Sequence, residues 1–365
     1  MNDDLQGKRR KVHCLLSAST FLVAFTLTAC AHLGPRTVPV DRYDYGTAIA
    51  ESWKEQTLLN IVKLRYGDLP VFIDVASVVA GYSLQTGVTV GGTVSSQGAV
   101  QGNFGSVGGQ GIYTDRPTIT YVPMTGDKFL RGLATPIDPR NVFFMIQAGY
   151  PADFLLALTV ESINGVRNRS TLGGQVRLAD PDFVRAMTLL RDLQTEGGFG
   201  MRVEEAAPKA GTAVVFFRRD DLTPEMQAKA AEIRRLLHLT PDQTKFTLSY
   251  SPVRGSEDQL AVKTRSMLQI LLAFASYVEV PEKDLSAKRA APQFEHAGDQ
   301  EFARIHSGAS KPDDAYAAIR YRNNWFWVDE NDWQAKRAIG SVILLFTMMD
   351  SGEAEHLPLI TIPAQ

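Results

Sequence analysis

The chain has 365 residues with a formal net charge of −2, and 44% of its residues are hydrophobic. This balance lacks the basic footprint of a nucleic-acid-binding protein, so we expect no nucleic-acid partner. The length suffices for one large or two modest hydrophobic cores.

The first 30 residues have the three parts of an export signal. Residues 8–11 are all basic, and residues 14–27 carry no charge. The uncharged run is shorter than the roughly 20 residues that a transmembrane helix needs. It ends in Leu27-Thr28-Ala29-Cys30, which resembles the lipobox of bacterial lipoproteins. We therefore expect residues 1–29 to be a lipoprotein signal peptide; the alternatives are an uncleaved anchor and an ordinary signal peptide with a chance cysteine.

The lipobox implies that the sulfur of Cys30 is acylated. A lipidated cysteine of this class carries several acyl chains such as palmitate, which anchor a protein firmly because each buried methylene contributes about 0.8 kcal/mol. Ala31 stands where an aspartate would favour the inner membrane in enteric bacteria, so we expect the periplasmic face of the outer membrane. Loss of Cys14 with the signal leaves no free thiol.

A proline-containing tether, residues 30–43, is expected to precede an α+β region at 44–168. This region opens with a helix over 44–66, where Ile49, Trp53 and Val62 recur at helical spacing. Gly67 is placed as the residue that ends this helix.

Residues 75–114 contain no Asp, Glu, Lys or Arg. Leu84, Val88 and Val90 alternate with polar or glycine residues, the period of a strand with one apolar face. We interpret residues 83–112 as a glycine-rich hairpin or loop at a sheet edge. The alternative is that residues 83–122 insert into a membrane as part of an oligomeric pore, which leaves a homo-oligomer open.

A polar segment, 168–178, separates this region from a second α+β domain at 179–365. Helices are expected after Asp180-Pro181, after Thr223-Pro224 and over 331–349. Residues 282–300 are charged and predicted to be a solvated loop, and residues 315–328 are predicted to be one strand. Because helices and short strands mix without strict alternation, the fold class is α+β, with mostly antiparallel strands.

Three acids, Asp329, Glu330 and Asp332, form a weak candidate site. They could hold a metal or act as acid and base, but acids also favour a helix N-terminus, and we prefer that interpretation. The aromatic run at 321–327 is interpreted as core packing rather than a sugar platform. No metal site, catalytic set or cofactor motif is expected.

Four phrases, beginning at Leu64, Thr114, Glu161 and Arg320, resemble a family of uncharacterised Gram-negative envelope lipoproteins. The resemblance implies an envelope protein and carries no activity.

The sequence therefore predicts a lipid-anchored protein with an assembly or scaffold role rather than an enzyme. Its partner is expected to be an unidentified envelope protein. The alternatives are an envelope hydrolase acting on cell-wall or exported polysaccharide through the three acids, and the oligomeric pore.

Overall fold

The computed structural model describes residues 38–79, 81–93, 104–171, 176–204, 212–217, 223–253, 255–292 and 303–349. The expected leader and the lipobox, including Cys30, lie outside the described residues. The described part contains helices and small, mostly antiparallel sheets, which confirms the α+β class. None of its helices combines the length and apolar character needed to cross a bilayer.

Helices and strands alternate irregularly along the chain. In order from the N-terminus they are α1 (Val38–Arg65), β1 (Phe72–Val79), β2 (Tyr82–Thr93), β3 (Phe104–Asp115), β4 (Thr118–Met124), α2 (Gly126–Ala134), α3 (Pro139–Gln147), α4 (Ala152–Thr159), β5 (Val160–Ile163), β6 (Val166–Arg167), α5 (Pro181–Thr195), β7 (Phe199–Glu204), β8 (Thr212–Phe217), α6 (Pro224–Leu236), β9 (Lys245–Tyr250), β10 (Gln259–Thr264), α7 (Met267–Ala275), α8 (Glu282–Ser286), β11 (His306–Gly308), β12 (Ala315–Tyr321), β13 (Asn324–Asp329) and α9 (Trp333–Met349).

The chain divides into two compact units. Unit one comprises residues 1–50 and 73–122, and unit two comprises residues 51–72 and 123–365. Helix α1 begins at Val38, inside the segment expected to be a tether, and continues from unit one into unit two.

Unit one is built around a long two-stranded ribbon. Strands β2 and β3 pair antiparallel without interruption from Tyr82 opposite Asp115 to Thr93 opposite Phe104. Strands β1 and β4 form a second two-stranded sheet at the open end of this hairpin, and Arg116 N donates to Gly81 O at 2.9 Å between the two sheets. The alternation that predicted a hairpin from the sequence therefore corresponds to a real one.

Unit two contains a six-stranded sheet in the order β6-β5-β10-β9-β8-β7. All neighbours are antiparallel except β9 and β10, which are parallel. Strands β5 and β6 come from before the polar segment at 168–178 and strands β7 to β10 from after it, so the sheet joins both sides of that segment. The core of unit two includes the fully buried Phe143, Phe183, Phe246 and Phe274.

Asn164 fastens the edge of this sheet. Asn164 and Gly165 form the two-residue turn between β5 and β6 and have φ angles of 47° and 84°. The Asn164 amide nitrogen donates to Leu237 O at 2.8 Å and to Gln259 O at 3.1 Å, and its amide oxygen accepts from Ala261 N at 2.8 Å. One buried side chain thus satisfies backbone groups of three residues that are far from it in the sequence.

A second sheet in unit two has the order β11-β13-β12. The prediction of one strand over 315–328 is wrong, because the chain reverses at Arg322 and Asn323, whose φ angles are 45° and 65°. This two-residue turn pairs Tyr321 with Asn324. It contains no glycine, so the usual sequence signal for such a turn is missing. Helix α9 buries its predicted apolar face, including Ile339 and Val342.

We predict that Asn164→Ala lowers the free energy of unfolding by about 2–4 kcal/mol, because Ala261 N and two carbonyls lose their partner inside the protein. Asn164→Gly, which tolerates the positive φ, should remove the amide without the backbone strain and separate the two effects. Urea unfolding measures both variants. The exposed Asn331→Ala is the control, and an equal loss in Asn331→Ala would contradict the assignment.

Candidate functional site

The three predicted acids lie between β13 and α9, and each has a partner within the protein. Asp332 is the N-cap of α9, and its Oδ1 accepts from Ala335 N at 3.0 Å. Glu330 forms an ion pair with Lys336 of the same helix. The helix-terminus interpretation preferred from the sequence therefore describes Asp332 directly.

Asp329 belongs to a different cluster, centred on His306. Its Oδ2 lies 3.2 Å from His306 Nε2, and its Oδ1 accepts from Trp327 Nε1 at 2.9 Å. Glu279 Oε2 lies 3.2 Å from the other ring nitrogen of His306. An imidazole can donate to both carboxylates only when both of its nitrogens are protonated. The cluster joins β11, β13 and the segment that follows α7, and no group of three or more His, Cys, Asp or Glu residues in the described ranges is arranged to hold a metal ion.

The aromatic run divides between two faces of the second sheet. Phe326 is fully buried in the core, but the interpretation of the run as core packing is wrong for Trp325 and Trp327, because successive side chains of a strand point to opposite faces. Trp325 and Trp327 alternate to the opposite face, where they are half-buried. The Trp327 ring lies 5.6 Å from the His306 ring, and Lys311 Nζ lies 5.7 Å from the Trp325 ring. Side chains of the protein therefore contact both indoles.

A buried carboxylate, Asp284, lies at the centre of the densest polar network. It belongs to the short helix α8 and is 1% exposed, so the prediction of a solvated loop over 282–300 is wrong at this residue. Tyr66 Oη donates to Asp284 Oδ2 at 2.8 Å, and Asn324 Nδ2 donates to the same oxygen at 3.3 Å. Arg289 Nη1 lies 3.0 Å from Oδ1. The carboxylate thus receives hydrogen bonds from three segments of the chain.

A second layer of this network surrounds the turn at Arg322. Tyr321 donates to Asp68, and Arg322 Nη2 lies 2.9 Å from Asp68 Oδ2. The Arg322 guanidinium also lies 5.2 Å from the centre of the Tyr66 ring, within cation–π range. Tyr66 and Asp68 follow α1, and Tyr321 and Arg322 flank the β12–β13 turn. The sequence segments that begin at Leu64 and at Arg320, two of the four that resemble the lipoprotein family, therefore contact each other.

The network lowers the pKa of Asp284 and raises the pKa of Tyr66. Burial by itself would raise the pKa of Asp284, but the hydrogen bonds from Tyr66 and Arg289 outweigh it and hold that pKa below its usual value. Burial, reinforced by the hydrogen bond to Asp284, raises the pKa of Tyr66. The stable arrangement at neutral pH is an ionised Asp284 that accepts from a neutral phenol.

A second buried ionisable residue, Arg265, donates hydrogen bonds to backbone carbonyl groups. Its guanidinium donates to Ala157 O at 3.0 Å, to Leu158 O at 2.9 Å and to Arg169 O. Two of these acceptors lie in the last turn of α4, the negative end of the helix dipole. Burial lowers the pKa of Arg265 to about 10. The residue ties α4 to the segment after β6.

An open cleft of about 540 Å³ lies where the β5–β6 turn meets the start of α5 and the end of α6. Asp180, Asp182 and His238 line it. Asp180 Oδ2 accepts from Arg167 N at 2.7 Å and therefore holds the chain in place. The cleft combines two acids with an exposed histidine, which makes it a polar surface depression rather than an enclosed pocket.

Unit one exposes apolar side chains, in contrast to the polar clusters of unit two. Val88, Val90 and Val107 of the β2–β3 hairpin are 73%, 74% and 76% exposed. Contiguous exposed apolar surface is the kind of feature that often marks an interaction site on a protein. The sequence indicated the hairpin, but only the pairing register places these three residues on one face.

The chain matches none of the protein-family models, curated proteins or solved structures with which it was compared.

We predict that Asp332→Ala lowers the free energy of unfolding by about 1 kcal/mol, because the first turn of α9 loses its cap. Asp332→Asn keeps a capping oxygen and should retain nearly all of the stability. Thermal unfolding of the two variants checks this. A loss in Asp332→Asn as large as in Asp332→Ala would show that the charge, not the cap, is what matters at this position.

We predict a pH-dependent effect of Asp284→Asn. Because the folded-state pKa of Asp284 is depressed, its ionised form contributes stability that is fully present above the unfolded-state pKa of about 3.9 and is lost as pH falls through the folded value. At neutral pH the free energy of unfolding of Asp284→Asn should be about 2–3 kcal/mol lower than that of the natural protein. This difference should become smaller as the pH falls.

Urea unfolding at a series of pH values measures this gap. The exposed Asp313→Asn is the matched control and should show no such gap at any pH. A difference in the free energy of unfolding between Asp284→Asn and the natural protein that stays constant down to the lowest pH measured would contradict the ionised network.

Proposed function

We propose that this protein is a lipid-anchored envelope protein whose role is assembly rather than catalysis, and that the β2–β3 hairpin is its interaction surface. The observation that carries the proposal is the exposure of Val88, Val90 and Val107 on a strand pair whose one charged residue, Asp115, lies at the open end. Apolar surface of this kind is stabilised by burial against a partner, at about 25 cal/mol per Å².

The polar clusters support a non-catalytic role. A catalytic set needs a nucleophile or base aimed at a place where a substrate can sit. Asp284 is buried among its donors, Asp332 caps a helix, and Asp329 is occupied by His306 and Trp327. These groups hold elements of unit two together, which is the function their contacts explain.

The lipid anchor places unit one close to a membrane. Helix α1 begins at Val38, so eight residue steps separate it from Cys30. Fully extended, this segment reaches at most about 28 Å. If Cys30 is acylated, the start of α1 therefore lies within that distance of the lipid headgroups. A membrane surface is the setting in which the exposed hairpin would act.

We predict that Cys30→Ser moves the protein from the membrane fraction to the periplasmic fraction, because no acyl chain can be attached. Mass spectrometry of the N-terminal peptide should show the acyl groups on the natural protein and their loss in the variant. Cys14→Ser changes the other cysteine, which lies in the leader, and should leave fractionation unchanged. An unmodified Cys30 in the natural protein would contradict the anchor.

A further inference from the structure

We propose, resting on the lipid anchor above, that the β2–β3 hairpin inserts its valine face into the acyl chains of the membrane, and that hairpins from further copies of this chain close its open edges. The valine face is the face that carries Val88, Val90 and Val107. The occupant of this face is therefore lipid, and the occupant of each edge is a second copy of the chain.

The pairing register separates the two faces of the hairpin. Val90 lies opposite Val107, and Val88 lies two residues along the same strand, so the three share one face. The other face carries mainly hydroxyl and amide groups and glycine; its apolar exceptions are Ile112, near the open end and 45% exposed, and Phe104, at the opposite end of the pairing. The residues of that face include Gln85, Thr89, Thr93, Ser106 and Gln110. A strand pair that is apolar on one side and polar but uncharged on the other is the pattern of a hairpin with lipid on one side and water on the other.

Absence of charge distinguishes lipid from a protein partner. At the chain's average of 21% charged residues, a segment of 40 residues would carry about eight charges, whereas residues 75–114 carry none. A hairpin that only covered another protein could keep lysines and glutamates on its wet face, and exposed edges usually carry them to prevent aggregation. Insertion selects most strongly against charge on the face that meets lipid, where a charge would lie in hydrocarbon.

The dimensions of the hairpin also fit a membrane. Eleven uncharged residue pairs, from Ser83 opposite Thr114 to Thr93 opposite Phe104, at about 3.4 Å each give a ribbon of about 37 Å; the twelfth pair carries Asp115 at the open end. Tilted by about 40°, the uncharged ribbon would cover about 28 Å along the membrane normal, which exceeds the apolar band of an outer membrane of about 25 Å. The length therefore allows a complete crossing by the described strands.

The open edges require further copies. Among the described strands, β2 and β3 pair only with each other, so each has one edge that no other described strand covers. Water satisfies the backbone groups of such an edge on a soluble protein, but hydrocarbon cannot. A single hairpin would therefore be excluded from lipid, whereas a closed set of hairpins satisfies every edge. Insertion and oligomerisation are one event in this mechanism.

A contact within unit one holds the open end of the hairpin near the anchor. Tyr82, the first residue of β2, donates from its hydroxyl to Asp41 Oδ1 at 2.5 Å. Asp41 lies in the first turn of α1, three residues after Val38. The same short segment that limits α1 to the neighbourhood of the lipid therefore limits the start of the hairpin as well.

The test uses the full mature protein in vesicles of phosphatidylethanolamine and phosphatidylglycerol. Single cysteines at 87, 88, 89 and 90 are labelled with an environment-sensitive dye, while the natural Cys30 is blocked by its acyl chains. Quenching by lipid-attached nitroxides should be strong at 88 and 90 and weak at 87 and 89. Equal quenching at all four positions, or none at any, would overturn the proposal.

A charge placed on each face gives a second readout. Val88 and Thr89 are adjacent, both are exposed, and each lies opposite a glycine, Gly109 or Gly108. In water Val88→Lys and Thr89→Lys should be equally tolerated. In lipid only Val88→Lys places its charge among acyl chains, and we expect it to reduce release of a vesicle-trapped dye at least about tenfold relative to Thr89→Lys. Equal release by the two variants would contradict insertion.

The two proposals can fail separately. Acylation and fractionation report the anchor through Cys30, and they do not depend on the hairpin. Alternating quenching reports insertion of the hairpin whichever way the protein reaches the vesicle. If Cys30 of the natural protein is unmodified, the labelling is done in the Cys30→Ser background, and alternating quenching there would contradict the anchor alone. A correctly acylated protein without alternation would contradict the insertion alone.

Discussion

A buried carboxylate is the constraint on which the second sheet of unit two depends. Removing Asp284 from water is unfavourable unless donors replace its hydration, and the fold supplies a phenol, an amide and a guanidinium. These donors come from the end of α1, the β12–β13 hairpin and the chain after α8. The ionised carboxylate can therefore be buried only when all three segments are in place, which makes their packing cooperative.

The same requirement for partners applies to two of the described acids, Asp284 and Asp329. A carboxylate that acts on a substrate must keep an oxygen available, and its pKa must suit the task. Asp284 uses its oxygens to fix the position of Tyr66, and Asp329 uses its own to fix His306 and Trp327. Contacts within unit two account for these polar groups. No contact among the described residues explains the exposed valines of unit one. This difference is the reason to assign the interaction to the hairpin.

Sequence periodicity predicted the parts of the fold that local chemistry determines. The apolar spacing of α9, the helix start at Asp180-Pro181 and the alternation in β2 each reflect neighbours within a few residues. It missed Arg322-Asn323, because positive φ at a residue pair without glycine leaves no compositional signal. It missed the burial of Asp284 because a charged segment is normally solvated, and a donor that reverses this, Tyr66, lies 218 residues earlier. Register and long-range partners, not propensity, decided both features.

An uncharged hairpin is a poor element for a protein that remains in water. Two strands alone are marginally stable there, and glycine lowers their stability further. The advantage appears only when copies meet, because each added hairpin pairs an edge and buries backbone groups. Confinement to a membrane surface by Cys30 would raise the effective concentration of those copies without any new contact. In the proposed mechanism the anchor and the hairpin are therefore two parts of one physical arrangement, in which the lipid would first gather the chains and then become the solvent for their valine faces.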